Sequence, residues 1–557
     1  MSASAQPAIA AASMLSGGEA IVAGLLAHEV DTVFALPGAQ IYALCDGLAQ
    51  AAAQIRTIGA RHEQAVGYMA YGYARASGRV GVCAVVPGPG LLNAGAALLT
   101  ANTCCTPLVA LTSDVTTHFK NRHRYQLHEL HEQLAVLRAI GKWATPAAGT
   151  GDIGVLLAQA FQEATSGRNG VAALQVPWDV LGERAALAPV APLARRPDPQ
   201  VDSDAISRAA RMLSAARTPM IFTGSGAQDA SAAVSALAER LAAPVVSFRG
   251  GRGVVSDEHP LGCTVAAGAR LWRSTDLALV IGSRFELLDM RWRHRPPGLR
   301  IIRIDIDPLE SSRLAADLNL VGEANAVVSA LLAELARHHF QAPERTARIA
   351  EARAAAALAI RAVQPQLDYL TVIRDLLPHD GIFVDELSQL GFASIFAFPV
   401  YRPRTLISAG AQGTLGFGLP TALGAKVAFP DRAVVSVCGD GGLLFAAQEL
   451  ATAVQYRINL VVIVFNNNAY GNVLRDQQHN YEGRTLGAKL VNPDFLKFAQ
   501  SFGIDAQRVA TPAALRPALE RALALAAPAL IEVTLARGAE ADPWPFLHPA
   551  FPDQTPF

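Results

Sequence analysis

VVSVCGDGG at residues 434–442 and LVVIVFNNN at residues 460–468 decide the reading of this chain. The second is an unbroken apolar run and the first is one but for Ser436, both rich in valine as a strand buried on both faces requires, and each ends abruptly in small or polar residues. The stretch between them is long enough for a helix. Strand, helix and strand then form one right-handed crossover that lays the two runs side by side in parallel. Their polar tips open into one crevice at the carboxyl edge of the sheet, where open α/β sheets bind ligands. Gly439, Gly441 and Gly442 let backbone amides approach an anion at a helix start. Asp440 and Asn467 supply hard oxygens of the kind Mg²⁺ prefers when it also holds diphosphate. The alternative is a strand-end Asp and Asn that merely cap turns.

The same alternation of short apolar runs and helical stretches extends in both directions. Runs at 32–36, 80–86 and 107–111 belong to a first unit, with a short strand at 55–58; runs at 220–222, 244–247, 277–281 and 301–305 belong to a second. Those at 381–384 and 529–533 join the deciding pair in a third. The fold class is therefore α/β, with three doubly wound parallel-sheet domains. The expected boundaries are a disordered arm at 1–14, an N-terminal domain at 15–187, a proline-rich linker at 188–200 and a central domain at 201–345. A linker helix at 346–368 and a C-terminal domain with its tail at 369–557 complete the chain.

Composition narrows the function. The 557 residues carry 47 Lys plus Arg and 47 Asp plus Glu, a formal net charge of 0, which lacks the basic excess that nucleic acid or an acidic membrane attracts. Hydrophobic residues make up 51% and charged residues 17%, which points to a large buried core and to subunit contacts. Six cysteines without a CxxC pair form no disulfide framework, and the N-terminus has no basic stretch before an apolar core, so a cytoplasmic protein is expected. Residues 80–113 carry no charge, but Pro87-Gly88-Pro89-Gly90, Asn93, Asn102 and Pro107 break them into strand, turn, helix and strand, so no membrane span is expected. Cys104 and Cys105 are expected to be buried thiols. His118, His123, His128 and His131 match no zinc spacing.

The GDG and NN elements at this spacing resemble the signature of thiamine-diphosphate-dependent enzymes. The resemblance implies that Asp440, Asn467 and the Ala469 carbonyl ligate Mg²⁺, and that Gly439, Gly441, Gly442, Tyr470 and Gly471 border the cofactor. Arg61-His62-Glu63-Gln64 resembles the family segment whose glutamate hydrogen-bonds N1′ of the aminopyrimidine and promotes formation of the reactive ylid, a role that falls on Glu63; His62 is expected to be structural. Read alone, Glu63 is a helix N-terminal charge. GAQGTLGFGLP at 410–420 resembles the segment that wedges the two cofactor rings into a bent conformation, with Leu415 as the wedge and the Gly413 carbonyl as acceptor for the 4′-amino group. Ser388 and Gln389 lie where relatives contact the diphosphate, and Pro37 and Asn93 are carried over as cofactor contacts.

Residues 32–38, 87–93, 251–255, 282–285 and 304–308 resemble the acetolactate synthase branch. That implies decarboxylation of a 2-oxo acid and carboligation to a carbonyl acceptor, in a homodimer or homotetramer with active sites at subunit interfaces. The rival readings are a C–C lyase or hydrolase of a diketone, and a non-catalytic nucleotide-binding paralogue, against which Glu63, Asp440 and Asn467 stand together. Several residues depart from the branch. His128 follows Leu127 where acetolactate synthases carry Gln before Glu, and Asn472 and Asp476 replace Met and Trp. These changes make the substrate side more polar, which implies an acceptor or a donor other than pyruvate. Gln40 is read as a proton-handling group or a turn residue, and His128 as a substrate-side donor or shuttle. Arg284 and Asp305 match flavin-contacting segments, but the next such Arg and a Met-His-Gly segment are absent, so FAD is left open.

Overall fold

The computed structural model describes residues 12–338, apart from residue 293, and residues 344–550. Most of the expected arm, residues 1–11, lies outside the described residues, as does the tail from 551. The described residues form two compact units, residues up to 196 without 75–77, and residues from 197 onward together with 75–77.

The strands of the first unit are β1 (Ser13–Ser16), β2 (Thr32–Ala35), β3 (Arg56–Gly59), β4 (Gly81–Val85), β5 (Leu108–Asp114), β6 (Trp143–Pro146), β7 (Val171–Pro177) and β8 (Arg184–Leu187). Six of them form a wholly parallel sheet in the order β3-β2-β4-β5-β7-β6. β5 and β7 are buried at every position, which explains why they read as continuous apolar runs rather than alternating ones. Residues 13 and 14 correct the expected arm, because β1 pairs antiparallel with β8. β3 lies one residue beyond the expected 55–58, with the Arg56 amide donating to the Asp31 carbonyl at 2.7 Å. Cys104 and Cys105, expected to be buried, are half-buried at the end of helix Pro89–Thr103. Among the described residues no helix is long and apolar enough to cross a membrane.

The second unit carries two more six-stranded parallel sheets. One contains β9 (Pro219–Thr223), β10 (Val245–Ser247), β11 (Gly262–Cys263), β12 (Leu277–Ile281), β13 (Arg300–Asp305) and β14 (Leu318–Val321), in the order β11-β10-β9-β12-β13-β14. The other contains β15 (Ile382–Val384), β16 (Leu406–Ile407), β17 (Val434–Gly439), β18 (Val461–Asn466), β19 (Asp505–Val509) and β20 (Ala529–Thr534), in the order β16-β15-β17-β18-β20-β19. A single apolar core runs from Phe222, Trp272 and Trp292 to Phe383, Phe396 and Ile463. The buried Arg252 guanidinium ties the two sheets together, pairing with Asp257 at 2.5 Å and donating to the Phe398 carbonyl at 2.7 Å. The stretch 346–368, expected to be one helix, is two elements: Thr346–Ile360 ends before Pro365, which has no amide hydrogen to continue it, and Gln366–Leu376 begins after it.

Candidate active site

In the first unit β3, β2 and β4 are neighbours, and the segments that follow them carry one half of the expected site. Glu63 opens helix Glu63–Ser77, where the exposed amides favour an anion. His62 is the N-cap, its Nδ1 accepting from the Gln64 amide at 3.1 Å, a structural role as expected. Asn93 Nδ2 donates to Glu63 Oε2 at 3.0 Å, and a Cβ on Gly90 would come within 3.3 Å of Glu63 Oε1. The Glu63 carboxylate is thus flanked by the start of the helix that follows β4. Pro37 is exposed just beyond the end of β2.

Gln40 and His128 meet, although nothing in their spacing foretold it. Gln40 is buried; its Nε2 donates to the Leu127 carbonyl at 2.9 Å, which leaves Oε1 as the acceptor, and His128 Nδ1 lies 2.8 Å from Oε1. An accepting Oε1 puts the ring proton on Nδ1, so Nε2 of the neutral ring is the lone-pair nitrogen. Gln40 thus engages both the backbone and the ring of the 127–128 segment. The loop is held close: His128 takes φ +59, and a Cβ on Gly88, itself at φ +58, would lie 2.4 Å from the His128 carbonyl oxygen. The other histidines pack elsewhere, His123 stacked on His131 with centroids 3.8 Å apart and His118 edge-on to Phe119.

In the third sheet β16, β15, β17 and β18 are consecutive neighbours, and the segment after each carries expected site residues. The parallel pairing of β17 with β18, Gly439 opposite Phe465, brings Asp440 beside the 466–469 segment. Asp440 is buried at the start of helix Asp440–Leu443; its Oδ2 accepts from the Ala469 amide at 3.2 Å and from Asn492 Nδ2 at 2.6 Å. Burial nonetheless pushes its carboxyl above the usual range. Asn467 Nδ2 donates to Glu540 Oε2 at 2.5 Å, while Asn467 Oδ1 is buried with no hydrogen-bond partner. Ala469 is buried beside them.

The glycines here are constrained by close neighbours. A Cβ on Gly441 would meet the Tyr470 ring at 2.3 Å, one on Gly442 would meet Glu386 Oε2 at 2.5 Å, and one on Gly471 would come within 3.0 Å of Asn467 Nδ2, whereas at Gly439 the nearest atom is 3.4 Å away. Ser388 caps helix Gln389–Ala397, its Oγ accepting from the Gly391 amide at 3.1 Å. Gln389 Oε1 accepts from Arg475, and Gln389 Nε2 donates to Asn472 Oδ1 at 3.4 Å. Asn472 Oδ1 also accepts from Trp544 Nε1 at 2.8 Å, so the amide NH₂ is what Asn472 has left to offer. Asp476 is exposed one turn further on, accepting from Asn480 at 2.6 Å. Gly413 and the half-buried Leu415 lie between the turn Gly410–Gln412 and Gly416.

Three family models match this chain in series: thiamine pyrophosphate enzyme, N-terminal TPP binding domain, over residues 15–136; the central domain over 206–331; and the C-terminal TPP binding domain over 388–533. The chain belongs to the thiamine-diphosphate-dependent enzymes. It is 36% identical over 501 residues to the probable 2-ketoarginine decarboxylase of Pseudomonas aeruginosa, covering 88% of each chain. It is 32% identical over 537 residues to the acetolactate synthase isozyme 3 large subunit of Escherichia coli, covering 92% of each. With the acetolactate synthase large subunit of Parasynechococcus marenigrum it shares 31% identity over 559 residues, covering 95% of this chain and 89% of the relative. The resemblance to the acetolactate synthase branch of these thiamine-diphosphate enzymes is thereby established, as is the three-sheet α/β fold.

Residues outside the motifs complete the C-terminal edge. Asn492 binds Asp440 and also reaches Asn466 and Asn468, at 3.0 and 3.3 Å. Glu540 holds Asn467, and Arg475 holds Gln389 while donating to the Glu540 carbonyl at 2.8 Å. None belongs to a local pattern, and nothing in the flanking sequence singles them out. Asp385 and Glu386, just beyond β15, are both buried, and burial raises their carboxyls to about 8 and about 7. A carboxyl raised in the folded state contributes stability that is present below its unfolded value and is lost as pH rises through the folded one. Among these cofactor-binding enzymes, this chain stripped of cofactor should therefore lose thermal stability as pH rises from about 5 to 8. Asp385→Asn should flatten that decline; a melting temperature that climbs across this range in the wild type would contradict the assignment.

Proposed function

We propose that the chain decarboxylates a 2-oxo acid bearing a polar or cationic side chain, using thiamine diphosphate and Mg²⁺. The observation that carries this reading is Asn467 Oδ1, a buried acceptor with no partner, adjacent to the buried Asp440. A buried oxygen left unpaired costs about 1–3 kcal/mol, which a bound cation would recover. With the Ala469 carbonyl these form an all-oxygen set suited to Mg²⁺. Gly439, Gly441, Gly442, Ser388, Gln389, Tyr470 and Gly471 would border the diphosphate and Gly413 and Leu415 the rings in one protomer, while Pro37 and Asn93 would border the rings from its partner, as the family arrangement implies. When bound, the cofactor supplies the electron sink for the carbanion left by loss of CO₂. Glu63 would hold a proton at N1′ of the pyrimidine. His128, oriented by Gln40, would move a proton on the substrate side through Nε2.

His128→Ala is expected to lower kcat by about 10²-fold, as for a lost general acid or base, and Gln40→Leu by a smaller factor because it only frees the ring. Steady-state rates in both variants check this; a wild-type kcat in His128→Ala would remove the residue from the mechanism. The polar side is read from Asn472 and Asp476. The P. aeruginosa relative is named for 2-ketoarginine, and Asp476 offers a carboxylate to such a cation. Asp476→Ala should lower kcat/KM for 2-ketoarginine by up to about 5-fold, the scale of a solvent-exposed ion pair, and leave that for pyruvate unchanged. Equal effects on the two substrates would refute the charge pairing.

Carboligation to a carbonyl acceptor is the second reading, favoured by the acetolactate synthase likeness over nine-tenths of the chain. Incubation with 2-oxo acids of differing charge, with and without a polar aldehyde, and with products resolved by mass spectrometry, separates the two: free aldehyde supports decarboxylation alone, a hydroxyketone carboligation. The same reading includes a cytoplasmic homodimer or homotetramer and the domain limits 15–187, 201–345 and 369–557. FAD at Arg284 and Asp305 is part of it only if the purified chain carries flavin absorbance.

A further inference from the structure

Glu386 is used by none of the roles above, yet it lies where three segments of the C-terminal edge converge. It follows β15 and is 2% exposed. Its Oε1 accepts from the Gly416 amide at 2.7 Å, and the amides of Phe417 and Gly418 also face the carboxylate. These amides lie at and just before the start of helix Gly418–Ala428, whose N-cap is Phe417, so a carboxylate that follows a different strand faces the N-terminal end of that helix. Its other oxygen, Oε2, has no hydrogen-bond partner of proper geometry and lies 2.5 Å from where a Cβ on Gly442 would be. The turn it holds has no slack elsewhere: Gly416 takes φ +81, and a Cβ there would lie 2.7 Å from Phe445 Cβ, just beyond the 439–442 loop.

We propose that Glu386 is a positioning residue that locks the Gly413–Leu415–Gly416 turn in register with the Gly441–Gly442 loop, and so sets the spacing at which one ligand can engage both. This rests on the cofactor reading above, since the turn is where the rings would be held and the loop where the diphosphate would be. A residue that only filled space would affect any ligand of the loop equally. A residue that sets the spacing should matter to a ligand spanning both segments and hardly at all to one touching the loop alone.

Calorimetric titration of the full chain in the presence of Mg²⁺, with thiamine diphosphate and separately with inorganic diphosphate, tests this. Glu386→Ala should weaken thiamine diphosphate by about 10-fold or more, the scale of a lost charged hydrogen bond, and change inorganic diphosphate by less than about threefold. Glu386→Gln, whose amide oxygen still accepts from Gly416, should restore thiamine diphosphate affinity to within about threefold. Wild-type affinity in Glu386→Ala, equal losses for both ligands, or failure of Glu386→Gln to restore binding would each overturn the proposal. If the alanine chain does not fold, Glu386→Asp, which withdraws the carboxylate by one methylene, should show the same split, and wild-type binding there would overturn it too. A wild-type chain that binds inorganic diphosphate but not thiamine diphosphate would overturn the cofactor reading itself.

Discussion

Glu63→Gln should leave cofactor binding nearly unchanged and lower turnover by about 10²-fold or more, the expected scale for removing a general acid/base step. Glutamine has the size of glutamate and still accepts from Asn93 Nδ2, so the local geometry survives the change. What disappears is the negative charge held between Asn93 and Gly90 at the start of helix Glu63–Ser77. If that charge served only the helix, its loss would cost about 0.3–1 kcal/mol of stability and nothing in rate. The two roles thus predict different readouts. Proton exchange at C2 of the added cofactor, followed by NMR, should slow in parallel with turnover, and exchange at the wild-type rate in Glu63→Gln would refute the role.

Asp440→Ala should abolish metal-dependent cofactor binding, with affinity for Mg²⁺ in the presence of thiamine diphosphate falling by about 10²-fold or more. The change removes a hard oxygen and also frees Asn492 and the Ala469 amide, both of which Asp440 now engages. Asn492→Ala isolates the second effect. It should cost about 10-fold, as expected for a residue that orients a ligand without touching the metal. Calorimetry on the three chains orders the contributions, and an Asp440→Ala chain that binds as tightly as wild type would end the metal assignment.

Why some of this was legible and some was not follows from how each feature is encoded. β18 is a continuous apolar run and β17 one but for Ser436, both with polar tips, and parallel pairing of such runs leaves few arrangements, so Asp440 and Asn467 had to meet. The β3 and β4 ends carrying Glu63 and Asn93 follow the same logic. Asn492 and Glu540 do not, because they reach the site from loops, where no period specifies direction. Gln40 and His128 were singled out separately, yet their contact depends on a loop whose path is set by the left-handed turns at Gly88 and His128. The linker helix failed for a plainer reason, since Pro365 interrupts a pattern that composition alone would continue. The polar character of Asn472 was visible, but not that Trp544 would take its oxygen.

The central claim is that this chain releases CO₂ from a 2-oxo acid only when thiamine diphosphate and Mg²⁺ are both present. Protein stripped of both by chelation and dialysis, then supplied with each alone and with the pair, should release CO₂ from 2-ketoarginine in the last case only, faster than from pyruvate. Release without the pair, or no release from any 2-oxo acid in its presence, would contradict the account.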